Sequence, residues 1–384
     1  MWRFSSLTED GWIQEFGQHA LTIPRNVLLE YSPEARIFPQ LRAQEEVEIL
    51  DKIVQHPPIS RQTDEGWFAQ PYAELHRTSD ADRLIEAESE GDYPVYGGSN
   101  IYQFSHDPTF VDIDPPEFWS VEEATDLDRS AKRRIREKSV RKLKRAIYDA
   151  FDGTGSQVGF VNDLLDEHRG AELSESDVLL DCTEYRIVFR DITKFTNERT
   201  IIASIVPPGV VCHNTLHTIR PYEITPEREN LADSPLHSAY ERVFTDESLF
   251  AALGLINSVP FDYLMRTKID THIVMYKFEE SQVPRLTAGD EWFEYIWRRA
   301  ARLNCYGEAF AEMRERLSGI EPATDPDERE VVQAELDAAA FHAYGLDREQ
   351  TAFVLDDFYQ VSNPRRMTDE YLKLVLAKYD ELSG

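Results

Sequence analysis

The run Tyr185-Arg186-Ile187-Val188-Phe189-Arg190, then Thr200-Ile201-Ile202-Ala203-Ser204-Ile205-Val206 closed by Pro207-Pro208-Gly209, decides the fold class. Both apolar runs are short and rich in β-branched or aromatic residues. Turn residues bound them, which predicts strands. Working outward, residues 176–225 read as β-rich. On the N-terminal side, 61–125 is turn-rich, with short strands expected at 93–96 and 101–104. Residues 1–60 hold one helix, at 45–54. Residues 126–175 read as helical. Beyond 248 the helical pattern returns at 249–267, 290–315, 325–344 and 369–382, with Thr324 or Asp325 as a cap before Pro326. The expected class is α+β: a mixed β-rich core with a helical insert and a helical C-terminal tail. The expected divisions are 1–125, 126–175, 176–247 and 248–384.

The chain has 384 residues, enough for a sizeable core and two or three domains. Its three cysteines, Cys182, Cys212 and Cys305, show no C-x-x-C spacing and cannot all pair. A disulfide scaffold is excluded and a reducing cytoplasm is expected. The start of the chain has no apolar signal-like segment, and no run approaches the roughly 18 apolar residues of a membrane span.

Asp and Glu number 71 against 41 Lys and Arg, for a net charge of −30. Only 10 of the basic residues are lysine and 31 are arginine. Abundant carboxylates with few lysines point to a protein kept soluble in strong salt, where screening removes the self-repulsion. An ordinary acidic protein would explain the carboxylates but not the missing lysines. In a salt-adapted chain, acidic bulk charge says little about nucleic acid either way.

One stretch runs against this balance. Residues 129–145, RSAKRRIREKSVRKLKR, hold ten Lys/Arg and one Glu. Ile135, Leu143, Ile147 and Phe151 recur at multiples of four, which predicts a helix with one apolar stripe and a basic face. Asp126 and Asp128 suit its start, and Gly153 and Gly155 its end. The basic face is a candidate for phosphate contacts, with Arg133, Arg134, Arg141 and Arg145 as its arginines. The alternative is a solvated helix that pairs its cations with acidic neighbours. A membrane-surface helix is disfavoured, because the apolar stripe is thin and lacks Trp.

Catalytic motifs are weak. Asp114-Pro115-Pro116-Glu117-Phe118 approaches the D/N-P-P-aromatic motif of amino-methyltransferases, but Glu117 stands where the ring belongs. Phe151-Asp152-Gly153-Thr154-Gly155 approaches a methyl-donor loop, but the basic helix precedes it instead of a buried strand. Cys212, His213 and His217 lack a fourth zinc ligand nearby. No P-loop, G-x-S-x-G or H-E-x-x-H occurs. No catalytic residue and no metal ligand is assigned.

Several segments in order resemble one family. Tyr96-Gly97-Gly98-Ser99-Asn100-Ile101-Tyr102-Gln103-Phe104-Ser105-His106 is similar to the Y-x-G-K-x-I-x-Q-F-D-H stretch of Eco57I-like adenine-specific DNA methyltransferases. These belong to combined restriction-modification proteins and related phage-defence systems. His76-Arg77-Thr78-Ser79-Asp80 resembles their H-x-T-x-D element. Arg190-Asp191-Ile192 with Thr196-Asn197-Glu198-Arg199-Thr200-Ile201-Ile202-Ala203 and Pro207-Pro208-Gly209-Val210 is the most specific match. Leu253-Gly254-Leu255-Ile256-Asn257-Ser258 with Phe261-Asp262-Tyr263 resembles L-x-x-x-N-S-x-x-F-D-Y. Glu335-Leu336-Asp337-Ala338, Tyr344-Gly345-Leu346 and Phe353-Val354-Leu355 resemble the helical tail. Ser99 stands where the family has Lys, and Ser105 where it has Asp.

The resemblance spans roughly 20–360. It implies the target-recognition and C-terminal region, with the catalytic domain and its S-adenosylmethionine supplied by a partner. Double-stranded DNA is the implied ligand. Readers of this kind use Arg to guanine, and Asn or Gln to adenine. The implied base-reading candidates are His213, Asn214, Asn100 and Gln103, and the positioning candidates are Arg186, Arg190 and Arg199. For Arg190 and Arg199 a structural role competes, through pairing with Asp191 and Glu198. The N-S-x-x-F-D-Y helix is expected in the core. A non-catalytic interaction subunit of a defence complex, or a severed gene fragment without activity, stays open beside this reading.

Overall fold

The computed structural model describes residues 2–5, 20–63, 66–80, 84–85, 93–119, 131–194, 197–269, 271–358 and 364–384. The architecture is α+β, with small sheets and a helical C-terminal half. The main sheet orders its strands Pro71–Tyr72, Leu216–Ile219, Arg186–Arg190 and Ala203–Val206, all antiparallel. A second sheet orders Leu84–Ile85, Glu117–Trp119, Tyr93–Tyr96 and Val211–Cys212, the last pair parallel. The chain therefore leaves the second sheet at Cys212 and enters the main sheet at Leu216. A tight turn at 213–215 makes the crossing, closed by the Leu216 amide donating to the His213 carbonyl at 2.9 Å.

The two runs that set the fold class pair with each other, Ile187 opposite Ile205 and Phe189 opposite Ala203. One sheet face buries Ile187, Phe189, Ala203 and Ile205 against Phe250, Leu253, Ile256 and Ile296 of the C-terminal helices. The other face packs Val188 and Val206 with Ile101 and Tyr102. The expected strand at 200–206 begins only at Ala203. The amides of Thr200 and Ile201 donate instead to the Asp262 carboxylate, at 2.9 and 3.2 Å. The expected strand at 101–104 is a turn, with Phe104 at φ 55 and an isolated bridge from Tyr102 to Ser105.

Ala203–Val206 is an edge strand, and two helix ends close it. The Asn257 side chain accepts from the Ala203 amide at 3.0 Å and donates to the Ala203 carbonyl at 2.9 Å. The Asn304 side chain does the same at Ile205, at 3.0 and 3.2 Å. Each carboxamide stands in for the peptide group of a missing neighbour strand. Asn257 also explains why the helix expected at 249–267 is two, Asp246–Ile256 and Val259–Lys268, bent by 57°. Asn304 ends Phe293–Asn304, and a separate helix, Ala311–Arg316, follows Gly307 at φ 74. Gly254 lets two of these helices approach closely, since a Cβ there would meet Ile296 at 2.8 Å. Leu at position 257 or 304 strands a buried N–H and C=O, at about 1–3 kcal/mol per group. The urea midpoint of either variant is expected to fall accordingly.

The other helices follow the sequence pattern. Pro326–Ala343 starts at Asp325, whose carboxylate accepts from the amides of Asp327 and Glu328. Asp369–Leu382 starts at Thr368 in the same way. Among the described residues no single helix is long and apolar enough to cross a membrane.

Candidate nucleic-acid interface

The crossing turn gathers three loops. Leu75 bridges to His213, and the His213 amide donates to the Tyr96 carbonyl at 3.0 Å. The Gly98 amide donates to Thr215 Oγ1 at 3.0 Å, and the Arg77 amide to Asn214 Oδ1 at 2.8 Å. His76, Arg77, Thr78, Ser79 and Ser99 are exposed around this knot, and Asn214 and Thr215 are half-buried. Arg77 also pairs with Glu117 at 2.9 Å.

His213 itself is inside, 2% exposed. Its Nδ1 lies 3.1 Å from Thr215 Oγ1. Gly97 leaves the space for the ring, since a Cβ there would come within 2.2 Å of His213 Nε2. Burial, with Arg77 nearby, pushes the imidazole down to about 4, so it is neutral at ordinary pH. It shapes the turn that presents Asn214.

Glu74 ties this knot to the basic helix. Its buried carboxylate accepts from Arg186, from the Cys212 amide at 2.7 Å and from Tyr72 at 3.1 Å. Its backbone carbonyl accepts from Lys138 Nζ. Burial raises the Glu74 carboxyl, and Arg186 pulls it back. Lys138 lies on Ala131–Ala150, the helix expected from the basic run. Ile135, Leu143 and Ile147 are buried against Val161 and Leu165 of Gln157–Arg169, and Phe151 packs beside them. The apolar stripe therefore faces inward as its spacing predicts.

The helix's outer arginines have acidic neighbours. Arg136 lies 3.7 Å from Glu175, Arg141 3.8 Å from Glu137, and Arg145 3.5 Å from Asp149. Arg141 and Arg145 are 69% and 78% exposed at their side chains, so these long contacts hold them only weakly. The side chains of Arg133 and Arg134, and the expected cap residues Asp126 and Asp128, fall outside the described residues.

The remaining candidates point inward. Asn100 accepts from the Gly97 amide and donates to the carbonyls of Asp114 and Pro115, at 3.1 and 2.8 Å. The D-P-P segment is thus a loop stapled by Asn100. Gln103 donates to the Asn257 carbonyl at 3.1 Å and accepts from Gln333 at 3.3 Å. Arg186 is fully buried and also donates to the Val210 carbonyl at 2.5 Å. Arg190 donates to the Ile101 carbonyl and lies 5.7 Å from the Tyr102 ring centre. Arg199 pairs with Asp262 at 3.1 Å, both fully buried. The structural partners differ from those expected. Asp191 faces His217 and His272, at 3.5 and 3.2 Å. Glu198 accepts from Tyr102 and from the amides of Arg365 and Arg366, at 2.5, 2.6 and 2.9 Å.

Four of the motifs behind the resemblance meet in one place, while the motif at 76–80 lies in the three-loop knot. Gln103, Arg199, Asn257, Asp262 and Asp337 build a buried polar network joining the main sheet to the helical tail. Sequence reading marks His76-Arg77-Thr78-Ser79-Asp80 as a motif of the resemblance but does not name its exposed residues 76–79 as site candidates. Their signal was a polar stretch between two strand-like segments. Phe151-Asp152-Gly153 is the end of the basic helix, where the Gly153 amide donates to the Tyr148 carbonyl at 2.8 Å.

No protein-family model matches the chain, and no curated protein does. Among solved structures it is similar to the Type IIL restriction-modification enzyme MmeI in complex with DNA. The TM-score is 0.34 at 13% identity, over 79% of this chain and 36% of that one. This chain thus spans about a third of that enzyme's length.

Proposed function

We propose that this chain is the DNA-reading part of an adenine-N6 DNA methyltransferase of a restriction-modification or phage-defence system. It works in the cytoplasm beside a separate catalytic chain that binds S-adenosylmethionine. The observation that carries the reading is the convergence on Glu74 of the three-loop knot and the basic helix. In this reading Asn214, with Arg77, Thr78 and Ser79, faces base edges, and Arg133, Arg134, Arg141 and Arg145 hold phosphates. Asn100, Gln103, Arg186, Arg190, Arg199 and His213 keep the frame rigid behind that face. Arginine suits the task in strong salt, where counterion release contributes little and a bidentate fork still fixes geometry.

Replacing Arg133, Arg134, Arg141 and Arg145 together with Gln is expected to lower duplex affinity. It should also flatten the salt dependence by roughly 0.9 in log–log slope per lost contact. The melting temperature should barely move, since the described pairs on that face are long and exposed. In the host, deleting the gene is expected to erase N6-methyladenine at one sequence motif, as read by single-molecule sequencing. An unchanged methylation map would overturn the reading. A second reading, an interaction subunit without DNA contact, draws on the acidic neighbours of Arg136, Arg141 and Arg145. It predicts that the four-arginine variant keeps its partner and that the parent chain never shifts a duplex.

A further inference from the structure

Behind the basic helix lie two cavities with a common wall. The smaller, 110 Å³, is lined by Tyr72, Ser139, Lys142, Asp181 and Arg220 among others. The larger, 510 Å³, is lined by Ser60, Gln62, Phe68, Gln70, Tyr222 and again Lys142 and Arg220. Two cations thus stand side by side where both spaces meet. Arg220 lies over the Tyr72 ring at 3.9 Å and reaches Asp181 at 3.2 Å. Lys142 has no ion pair and no hydrogen bond among the described residues, although it is half-buried. Of the nearby carboxylates, two pair with arginines, and Glu223 and Glu279 line the larger cavity. Glu74 holds Arg186, Asp181 holds Arg220, and Glu223 accepts from Gln62 at 2.9 Å. Burial pushes the Glu279 carboxyl towards its neutral form.

We propose that Lys142 and Arg220 bind the phosphate of a nucleotide, with the larger cavity taking the nucleoside. The volume suits such a group. Phe68 and Tyr222 line it with aromatic surface and Gln70 offers hydrogen bonds to a base or sugar, while Gln62 already donates to Glu223 and Ser60 to the Glu279 carbonyl. An anion here relieves the repulsion between the two cations and replaces the water that burial has removed. Burial and Arg220 together hold the Lys142 amine down at about 8, with Asp181 opposing them. Lys142 is therefore a reactive amine that a bound phosphate shields. The assignment deepens the nucleic-acid reading above and rests on it only where the phosphate is that of DNA.

The test is amine acylation of the full chain at pH 8, with Lys142 and Lys144 quantified by peptide mass spectrometry. Inorganic phosphate, adenosine monophosphate and a short DNA duplex are added at constant ionic strength. A ligand at ten times its Kd is expected to slow Lys142 labelling about tenfold and to leave Lys144 unchanged. Lys142→Met and Arg220→Gln should each weaken the binding of adenosine monophosphate. Protection strongest with duplex supports a backbone phosphodiester at Lys142 and Arg220 and overturns the placing of a nucleoside in the larger cavity. Protection by the mononucleotide but not the duplex supports a free-nucleotide site and removes it from the DNA face. No protection by any phosphate probe, or equal protection by chloride, overturns the proposal. In that case a duplex mobility shift that persists shows that the DNA reading survives without it.

Discussion

Replacing Asp262 with Ala is expected to destabilise the chain by about 3–5 kcal/mol, the usual result of leaving a buried charge unpaired. Asp262 is fully buried and answers four donors at once. It pairs with Arg199 and Arg266, each at 3.1 Å, and accepts from the amides of Thr200 and Ile201. Removing it leaves the fully buried Arg199 with hydrogen bonds to the Asn257 carbonyl and Met367 Sδ, and with Asp337 as its nearby carboxylate. It also frees the backbone that leads into the edge strand. Against a total stability of roughly 5–15 kcal/mol, much of the folded margin disappears. Urea unfolding of soluble variant checks this, and a midpoint like that of the parent would contradict it. Where Asp262→Ala does not fold, the paired change Arg199→Met with Asp262→Leu separates charge from packing. That pair should recover only the part of the loss that comes from the unpaired Arg199 charge, because the Thr200 and Ile201 amides and Arg266 still lose their acceptor.

The second large effect is acid lability between about pH 6.5 and 4. His106 and His213 are 4% and 2% exposed. Burial lowers both imidazoles to about 4, aided by Arg329 at His106 and Arg77 at His213, while Asp107 opposes the shift at His106. Above pH 6.5 both rings are neutral in the folded and the unfolded chain, and nothing is lost. As pH falls, the unfolded chain takes up two protons that the folded chain refuses, so stability drops. The loss levels off below about 4, where the folded rings also protonate. Each ring contributes roughly 3 kcal/mol across the window. Comparing urea midpoints at pH 7 and pH 5 shows it. His106 stacks on Tyr306 and Phe310, with ring centres 4.5 and 4.7 Å away. His106→Phe keeps that stack without the proton, and should flatten the profile. An equally steep profile in that variant would rule His106 out as a source.

How much of this was legible in the sequence depends on the range of the forces involved. Local pattern placed the strands Arg186–Arg190 and Tyr93–Tyr96 and the helices Ala131–Ala150, Pro326–Ala343 and Asp369–Leu382. It failed where a distant side chain captured a backbone group. Thr200 and Ile201 are as β-prone as Ile205, yet Asp262, some sixty positions on, takes their amides. The apolar run at 249–267 reads as one helix, and only the strand edge at Ala203 reveals why it bends at Asn257. Among the candidate site residues, residue type alone did not separate surface from interior. Arg141 and Arg199 carry the same guanidinium, but one is on a solvated helix face and the other pairs with Asp262 in the core. The motifs read as a family resemblance fall on the scaffold instead, on residues that hold the sheet to the helices.

The closed edge of the main sheet has a consequence for assembly. One of its outer strands, Ala203–Val206, has its outward backbone groups covered by Asn257 and Asn304. The other, Pro71–Tyr72, is two residues long and starts on a proline. Neither side offers a run of free peptide groups for β-augmentation. A partner chain is therefore barred from extending this sheet and has to be recognised by side chains and loops. The same closure keeps unrelated strands from templating on it, so surface charge does not have to guard this flank.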